Sequence, residues 1–288
     1  MSTLDTRIGP GTARYAVLGE SLGHTWSPYI HNSLFTAAQR DAIYLPVTVP
    51  RDRLASAVEV LKSCFGGFNI TIPYKQQIIP FLDEIDATAH ACGAVNTVVC
   101  RSGRLSGHNT DGIGMIRALE EGGAGTTGVR TLILGGGGAA RAAAVAFLER
   151  GGSVTFAVRD LHKGHELARE LADAQQDGKS RLFVCSLDNI VGTYDVLVNC
   201  TPIGMYPRED GCPVGEDVIA RCGAVFDAVY NPRMTRLLEK AKHFGRPAVE
   251  GLGMLYYQAI EAERLWFGDV GVDRKKQREI YESLLARL

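Results

Sequence analysis

The sequence predicts an α/β protein of two domains with a parallel sheet in its second half. Three observations carry that expectation. The chain has 288 residues, and roughly 150 residues make one domain. Short apolar strand-like runs alternate with helical patterns, which implies right-handed βαβ units. Four consecutive glycines, Gly135, Gly136, Gly137 and Gly138, stand between one such strand and the helix after it.

Each element has a local reason. Residues 14–19 (RYAVLG) read as a strand. Residues 28–39 read as a helix, with Ser27 as N-cap and Pro28 at the first helical position. A strand at 43–49 and a helix at 54–64 follow, then a strand at 67–72 stopped by Pro73. Strands at 95–100 and 104–108 flank the turn signal Ser102-Gly103 and form a hairpin. A helix spans about 111–121, and Asp111 is placed to cap it. The stretch GGAGTTG, residues 122–128, is the strongest linker by composition. Beyond it come a strand at 131–134, a helix at 139–150, a strand at 153–158, a helix at 162–174, and strands at 181–185, 195–199 and 224–228. Residues 235–244 form an amphipathic helix with Leu237, Leu238, Ala241 and Phe244 on one face and Gly245 to end it. Helices at about 254–267 and 274–288 close the chain.

Composition excludes several classes. Lys plus Arg is 31 and Asp plus Glu is 32, a net charge of −1. A nucleic-acid binder should carry a basic face, and no membrane partner is called for either. The seven cysteines are odd in number and show no C-x-x-C pair. Neither a disulfide framework nor a metal site is expected, and buried reduced thiols are the plain reading. The first residues hold no long apolar run, and no stretch approaches 18 apolar residues, so a cytoplasmic protein is expected. The 33 glycines beside only 11 prolines ask for a cause other than low complexity.

Part of that cause is the turn. Gly135, Gly137 and Ala140 fit G-x-G-x-x-A between a strand and a helix. The small residues allow a tight turn, close approach of backbone to pyrophosphate, and close helix–strand packing. The helix N-terminus then offers free N–H groups to the phosphate. The next strand ends in Arg159-Asp160, with Lys163 shortly after. An acid there would bond the ribose hydroxyls of NAD, whereas an Arg would pair with the 2′-phosphate of NADP. Arg159 stands nearer the strand end and Lys163 adds a second cation, so NADP is expected, with NAD as the alternative.

Polar clusters mark the first half: His24-Thr-Trp-Ser27-Pro28, Asn69-Ile-Thr71-Ile-Pro-Tyr-Lys75, Gly93-Ala-Val-Asn96-Thr, and His108-Asn-Thr-Asp111-Gly112. Asn69 and Thr71 alternate along a strand and so share a face. These clusters, together with GGGGAAR, VNCTPIGMYP, DAVYNPRMTRLL and GLGMLYYQA, resemble the shikimate dehydrogenase family in content and order, from residue 24 to residue 259.

The resemblance implies a discontinuous substrate domain, residues 1–112 and 251–288, around a Rossmann domain at 113–250. It implies Lys75 and Asp111 as the catalytic pair. Thr25 and Ser27 would hold the substrate carboxylate, and Asn69, Thr71, Asn96, Tyr230 and Gln258 would also bind substrate. Gly135 to Ala139 would form the phosphate loop, Arg159 and Lys163 would hold the 2′-phosphate, and Thr201 and Gly251 are further cofactor-binding positions. The implied reaction is the reversible reduction of 3-dehydroshikimate to shikimate with NADPH, by a monomer or homodimer. Lys75 is its natural proton donor, and the cofactor carries the hydride chemistry.

The chain departs from the family pattern at four positions. Thr25 stands where serine is commonest, and His108 where an acid is frequent. Val158 replaces a common asparagine, and Asp160 a common threonine. The first two bear on shikimate against quinate, the last two on NADP against NAD. A non-catalytic NAD(P)-binding module is the reading of another class, and the presence of both Lys75 and Asp111 argues against it. His24, His31 and His108 show no metal spacing and no evident partner, so all three read as structural or loop residues.

Overall fold

The computed structural model describes residues 8–174 and 181–287. Its strands and helices, in chain order, are β1 (Ala13–Gly19), α1 (Ser27–Ala37), β2 (Ala42–Thr48), α2 (Leu54–Cys64), β3 (Gly67–Ile70), β4 (Glu84–Ile85), α3 (Ala87–Cys92), β5 (Thr97–Arg101), β6 (Arg104–His108) and α4 (Asp111–Glu121). Then come β7 (Arg130–Leu134), α5 (Gly138–Glu149), β8 (Ser153–Val158), α6 (Leu161–Asp173), β9 (Leu182–Ser186), β10 (Tyr194–Asn199), α7 (Glu216–Ala220), β11 (Cys222–Asp227), α8 (Arg236–His243), β12 (Ala248–Glu250), α9 (Gly251–Phe267) and α10 (Arg274–Leu285). The class is α/β, as the alternation predicts.

The chain divides into two compact units. The first is Met1–Ile85, Val95–His108 and Ala259–Leu288; the second is Asp86–Ala94 and Asn109–Gln258. The first holds a sheet in the order β2-β1-β3-β5-β6-β4. β1 runs parallel to β2 and β3, while β5 runs antiparallel to β3 and to β6. Consequently the ends of β1 and β3 and the start of β5 lie at one edge of the sheet. α2 turns Leu54, Val58 and Leu61 inward, at the spacing of one helical face. Tyr15, Phe35, Tyr44 and Trp266 form the aromatic part of the core, packed with Val17, and the Trp266 indole donates to the Val98 carbonyl at 3.0 Å. The hairpin turns on Ser102 and Gly103, with φ of 51° and 72°. Two successive positive φ values are the type I′ geometry that matches strand twist.

The second unit holds a sheet of parallel strands ordered β12-β11-β10-β7-β8-β9. Its strands are buried apolar runs, as a sheet covered on both faces requires: Leu132, Ile133, Leu134, Leu197 and Val198 are fully buried. Strand order reverses between β7 and β10, and ligands of such sheets bind beyond the strand ends at that reversal. α8 is capped by Thr235, whose hydroxyl accepts from the Leu238 amide, and it ends before Gly245 with φ of 66°.

Several local expectations are corrected. Ser27 lies inside α1, whose N-cap is Trp26 with no side-chain cap; Thr25 Oγ1 instead accepts from the Ser27 amide at 3.4 Å. β3 ends at Ile70 rather than residue 72. The Thr71 amide still reaches the Leu18 carbonyl at 3.0 Å, but the Thr71 carbonyl already closes a turn with Tyr74. The glycine-rich 122–128 stretch joins α4 to β7 within the second unit, so it is a loop and not a linker between units. α9 starts at Gly251, earlier than expected. Its early glycines hide that first turn, since glycine disfavours helix. The short elements β4, α3, α7 and β12 carry too little periodicity to be read from sequence. Leu288, the expected end of the last helix, lies outside the described residues.

Candidate active site

In the first unit the predicted residues form a connected polar chain at the strand-end edge. Thr25 and Ser27 follow β1, and the Thr25 hydroxyl donates to Ser27 Oγ at 3.3 Å. Ser27 also hydrogen-bonds the hydroxyl of Tyr44. Tyr44 in turn donates to Asn69 Oδ1 at 2.6 Å. The Asn69 amide nitrogen donates to the Asn96 carbonyl at 3.2 Å and to Thr97 Oγ1 at 3.0 Å. Thr97 donates to Asn96 Oδ1 at 3.0 Å. Lys75, half-buried, sits in the turn after β3. Its carbonyl takes the Val95 amide at 2.7 Å, next to Asn96. Tyr74 anchors that turn by donating to the Val49 carbonyl at 2.6 Å.

Asn69 and Asn96 are 5% and 2% exposed. With Asn69 bonded at both ends, its remaining acceptor capacity is all it offers a ligand. Thr25, Ser27, Asn69 and Asn96 are therefore brought together here, with the Lys75 backbone held beside Asn96.

Asp111 and Gln258 belong to the second unit. Asp111 is the first residue of α4, not its cap; the Asn109 side chain takes the Asp111 amide at 3.1 Å. Asp111 is 4% exposed. Gln258 accepts from the Thr110 hydroxyl at 3.4 Å and donates to the Leu255 carbonyl at 2.9 Å. Tyr230 follows β11, and burial pushes its hydroxyl above the ordinary tyrosine value.

The glycine turn stands at the reversal of strand order. Gly135 has φ of 100°, a conformation that disfavours any side chain. A Cβ there would lie 3.2 Å from the Thr201 methyl, just past β10. Gly137 precedes α5, and no protein atom lies within 4 Å of where its Cβ would be. Packing within the chain does not demand a glycine there, whereas backbone approach by a ligand does. Gly136 is exposed, Gly138 and Ala139 open α5, and Ala140 is fully buried. The cradle fits a dinucleotide pyrophosphate at the start of a 12-residue helix. Gly251 has a different reason: a Cβ would meet the Asp227 and Ala228 carbonyls at 2.6 Å, so it is glycine for packing.

The basic pair is exposed at the end of β8. Asp160 caps α6 by accepting the Lys163 amide at 3.2 Å, which holds its carboxyl below the usual range. It also sits 3.7 Å from Lys163 Nζ. The acid is therefore engaged in the cap. Arg159 makes no ion pair among the described residues.

Two features escape sequence reasoning. Tyr44 links Ser27 to Asn69, but in IYLPVT it reads as an ordinary strand aromatic. His31 has a partner after all. Its Nδ1 lies 2.7 Å from Glu263 Oε1, both side chains are fully buried, and Arg40 reaches Glu263 Oε2 at 2.8 Å. The His31 ring stacks on Tyr44 with centroids 4.2 Å apart. A separation of 232 residues leaves no local signal. His108 Nε2 lies 3.1 Å from Ser106 Oγ. Among the described residues no group of three or more His, Cys, Asp or Glu could hold a metal, and no helix is long and apolar enough to cross a membrane.

Comparison with known proteins identifies the family. Residues 17–98 match the shikimate dehydrogenase substrate binding domain. The shikimate dehydrogenase (NADP(+)) of Moorella thermoacetica is 40% identical over 266 residues, 91% of this chain and 90% of the relative. The chain belongs to the shikimate dehydrogenase family. The Thermus thermophilus enzyme of this family, solved with NADP(H) and shikimate, superposes with a TM-score of 0.84 at 32% identity, covering 94% of this chain and 99% of that one. The Listeria monocytogenes shikimate 5-dehydrogenase, solved with shikimate and NAD, gives 0.86 at 28% identity, covering 96% and 98%.

Proposed function

We propose that the protein is an NADP-dependent shikimate dehydrogenase, reversibly reducing 3-dehydroshikimate to shikimate. The observation that carries the substrate reading is the run of hydroxyl and amide side chains from Thr25 to Asn96 beside Lys75. Such groups donate and accept, which suits a hydroxylated ring. Thr25 and Ser27 hold the carboxylate end through neutral donors. Thr71, Asn69 and Asn96 orient the ring, and Tyr230 and Gln258 are further substrate-binding residues. NADPH, when bound, supplies the hydride to the ketone carbon. Lys75 gives the ketone oxygen its proton from Nζ and takes it back in the reverse direction. Asp111 is its partner in that transfer. Residues 1–112 and 251–288 serve the substrate, and 113–250 the cofactor.

The cofactor reading rests on Asp160. As a helix cap it is engaged, which leaves Arg159, with Lys163, to meet a 2′-phosphate. The glycine turn from Gly135 to Ala139, with Thr201, holds the pyrophosphate. A cytoplasmic monomer or homodimer agrees with seven free thiols.

The test is turnover of purified protein with shikimate or quinate, each with NADP or NAD. Shikimate with NADP is expected to give the highest kcat/KM. No activity with that pair sinks the proposal. Highest kcat/KM with quinate or with NAD moves the assignment within the family.

A further inference from the structure

We propose that Asp227 is a positioning residue for the dinucleotide site, acting through Asn199 and Thr201 on the glycine turn after β7. The inference rests on the reading of the second unit as an NADP site. Asp227 ends β11 and is fully buried. A buried carboxylate is expensive unless its oxygens are bonded, and here they are. Oδ1 accepts from Asn199 Nδ2 at 2.9 Å and from the Val229 amide at 3.0 Å. Oδ2 accepts from the Thr235 hydroxyl at 2.6 Å. One side chain thus ties the end of β10, the exit of β11 and the cap of α8.

The bond to Asn199 also decides which way that amide faces. Its nitrogen must point at the carboxylate, because an oxygen there would meet an acceptor. Asn199 Oδ1 is then aimed at the next segment. It accepts from the Thr201 amide at 3.0 Å and from the Thr201 hydroxyl at 2.7 Å. An amide turned over would set its NH2 against the Thr201 N–H and lose both ends together. Thr201 Oγ1, so fixed, accepts from the Ile203 amide at 3.3 Å, and the Thr201 methyl lies 3.2 Å from where a Cβ on Gly135 would be. The wall of the cofactor cradle is therefore set by a carboxylate two residues removed from it through hydrogen bonds. Supports behind ligand-contacting groups commonly govern affinity in this way.

The experiment uses the full chain and NADP itself. Asp227→Ala is expected to raise the NADP Kd about tenfold by calorimetry, since it frees the buried Asn199 amide. KM for shikimate should stay within about twofold, because most of its proposed contacts, Thr25 to Asn96, lie in the other unit. Asp227→Asn should recover most of the affinity. Its oxygen still accepts from Asn199 and Val229, and its NH2 donates to the Thr235 oxygen. A merely structural role would produce neither the split between the two ligands nor the rescue. A cooperatively melting Asp227→Ala whose NADP Kd stays within about twofold of wild type overturns the proposal, as does an equal rise in shikimate KM. Where Asp227→Ala fails to fold, Asn199→Ala cuts the same chain one link nearer the turn and must show the same loss. Failure of both to fold assigns Asp227 to stability alone and overturns the proposal. Wild-type protein that binds no NADP overturns the cofactor reading itself, an outcome distinct from a variant that binds normally.

Discussion

Glu263 in the first unit and Asp227 in the second are both fully buried carboxylates, and the protein holds them by opposite means. Glu263 faces cationic or protonatable partners, Arg40 at 2.8 Å and His31 at 2.7 Å. Asp227 has only neutral donors among the described residues: an amide side chain, a backbone N–H and a hydroxyl. Burial therefore wins at Asp227 and pushes its carboxyl from 3.8 up to about 6, with the three hydrogen bonds opposing. The same division runs through the candidate residues of the two units. The first unit presents side chains, Thr25, Ser27, Asn69, Asn96 and Lys75. The glycine turn and the start of α5, in the second unit, present backbone. Chemistry that moves a proton needs a titratable side chain, while binding a pyrophosphate needs N–H groups and room.

The sharpest break of that comparison is Lys75→Ala. If the first unit supplies the proton, kcat falls roughly 10²–10⁴-fold while the NADP Kd stays within about twofold. Stopped-flow turnover and calorimetry on one preparation read both. Undiminished kcat would move the proton donor elsewhere.

Next is Glu263→Ala, which takes the buried carboxylate from His31 and leaves Arg40 only Asp269 as a partner. Removing one member of a buried ion pair costs about 3–5 kcal/mol. Both tryptophans, Trp26 and Trp266, lie in the first unit, so the urea transition seen in tryptophan emission reports the unit concerned. A loss below about 1 kcal/mol would mean the pair contributes no more than a surface one.

Asp227 predicts a pH dependence of the other sign from a charge-paired acid. Its folded value lies above its ordinary 3.8, so the folded state binds the proton more tightly than the unfolded chain does. The stability this contributes is fully present below 3.8 and is lost as pH rises through about 6. The total loss is roughly 3 kcal/mol. Asp227→Asn has no proton to lose and should flatten that slope. Unfolding free energies for both proteins across that window decide it; parallel slopes would show that the carboxyl titrates normally.

The division also explains what can be read from the sequence. Backbone sites are written in consecutive residues, so Gly135 to Ala140 and the Ser102-Gly103 turn are legible as local geometry. Helices with a clear apolar face, such as α2 and α8, are legible for the same reason. The residue types of the side-chain site are legible only as separate clusters, and their order along the chain points to the family. What joins them is not. Tyr44 meets Asn69 across 25 residues, and His31 meets Glu263 across 232, distances that only the tertiary fold closes. The 122–128 stretch misleads because glycine-rich composition marks loops within units as well as linkers between them. Asp160 is ambiguous in sequence because the acid that could meet a ribose is also a good helix cap.

The smallest effect tests the backbone half directly. Gly137 has φ of −80° and ψ of −173°, which any L-residue adopts without strain. A Cβ there meets no protein atom within 4 Å. Gly137→Ala should therefore fold, losing no more than about 1 kcal/mol as a poorer cap. In the cradle the methyl occupies the space a pyrophosphate needs, so the NADP Kd should rise about tenfold. Shikimate KM should stay within about twofold, because most of its proposed contacts, Thr25 to Asn96, are side chains of the other unit. If the variant binds NADP as wild type does, the turn does not hold the phosphate closely. The second unit would then bind its cofactor mainly through side chains such as Arg159, and the contrast between the two halves would fail.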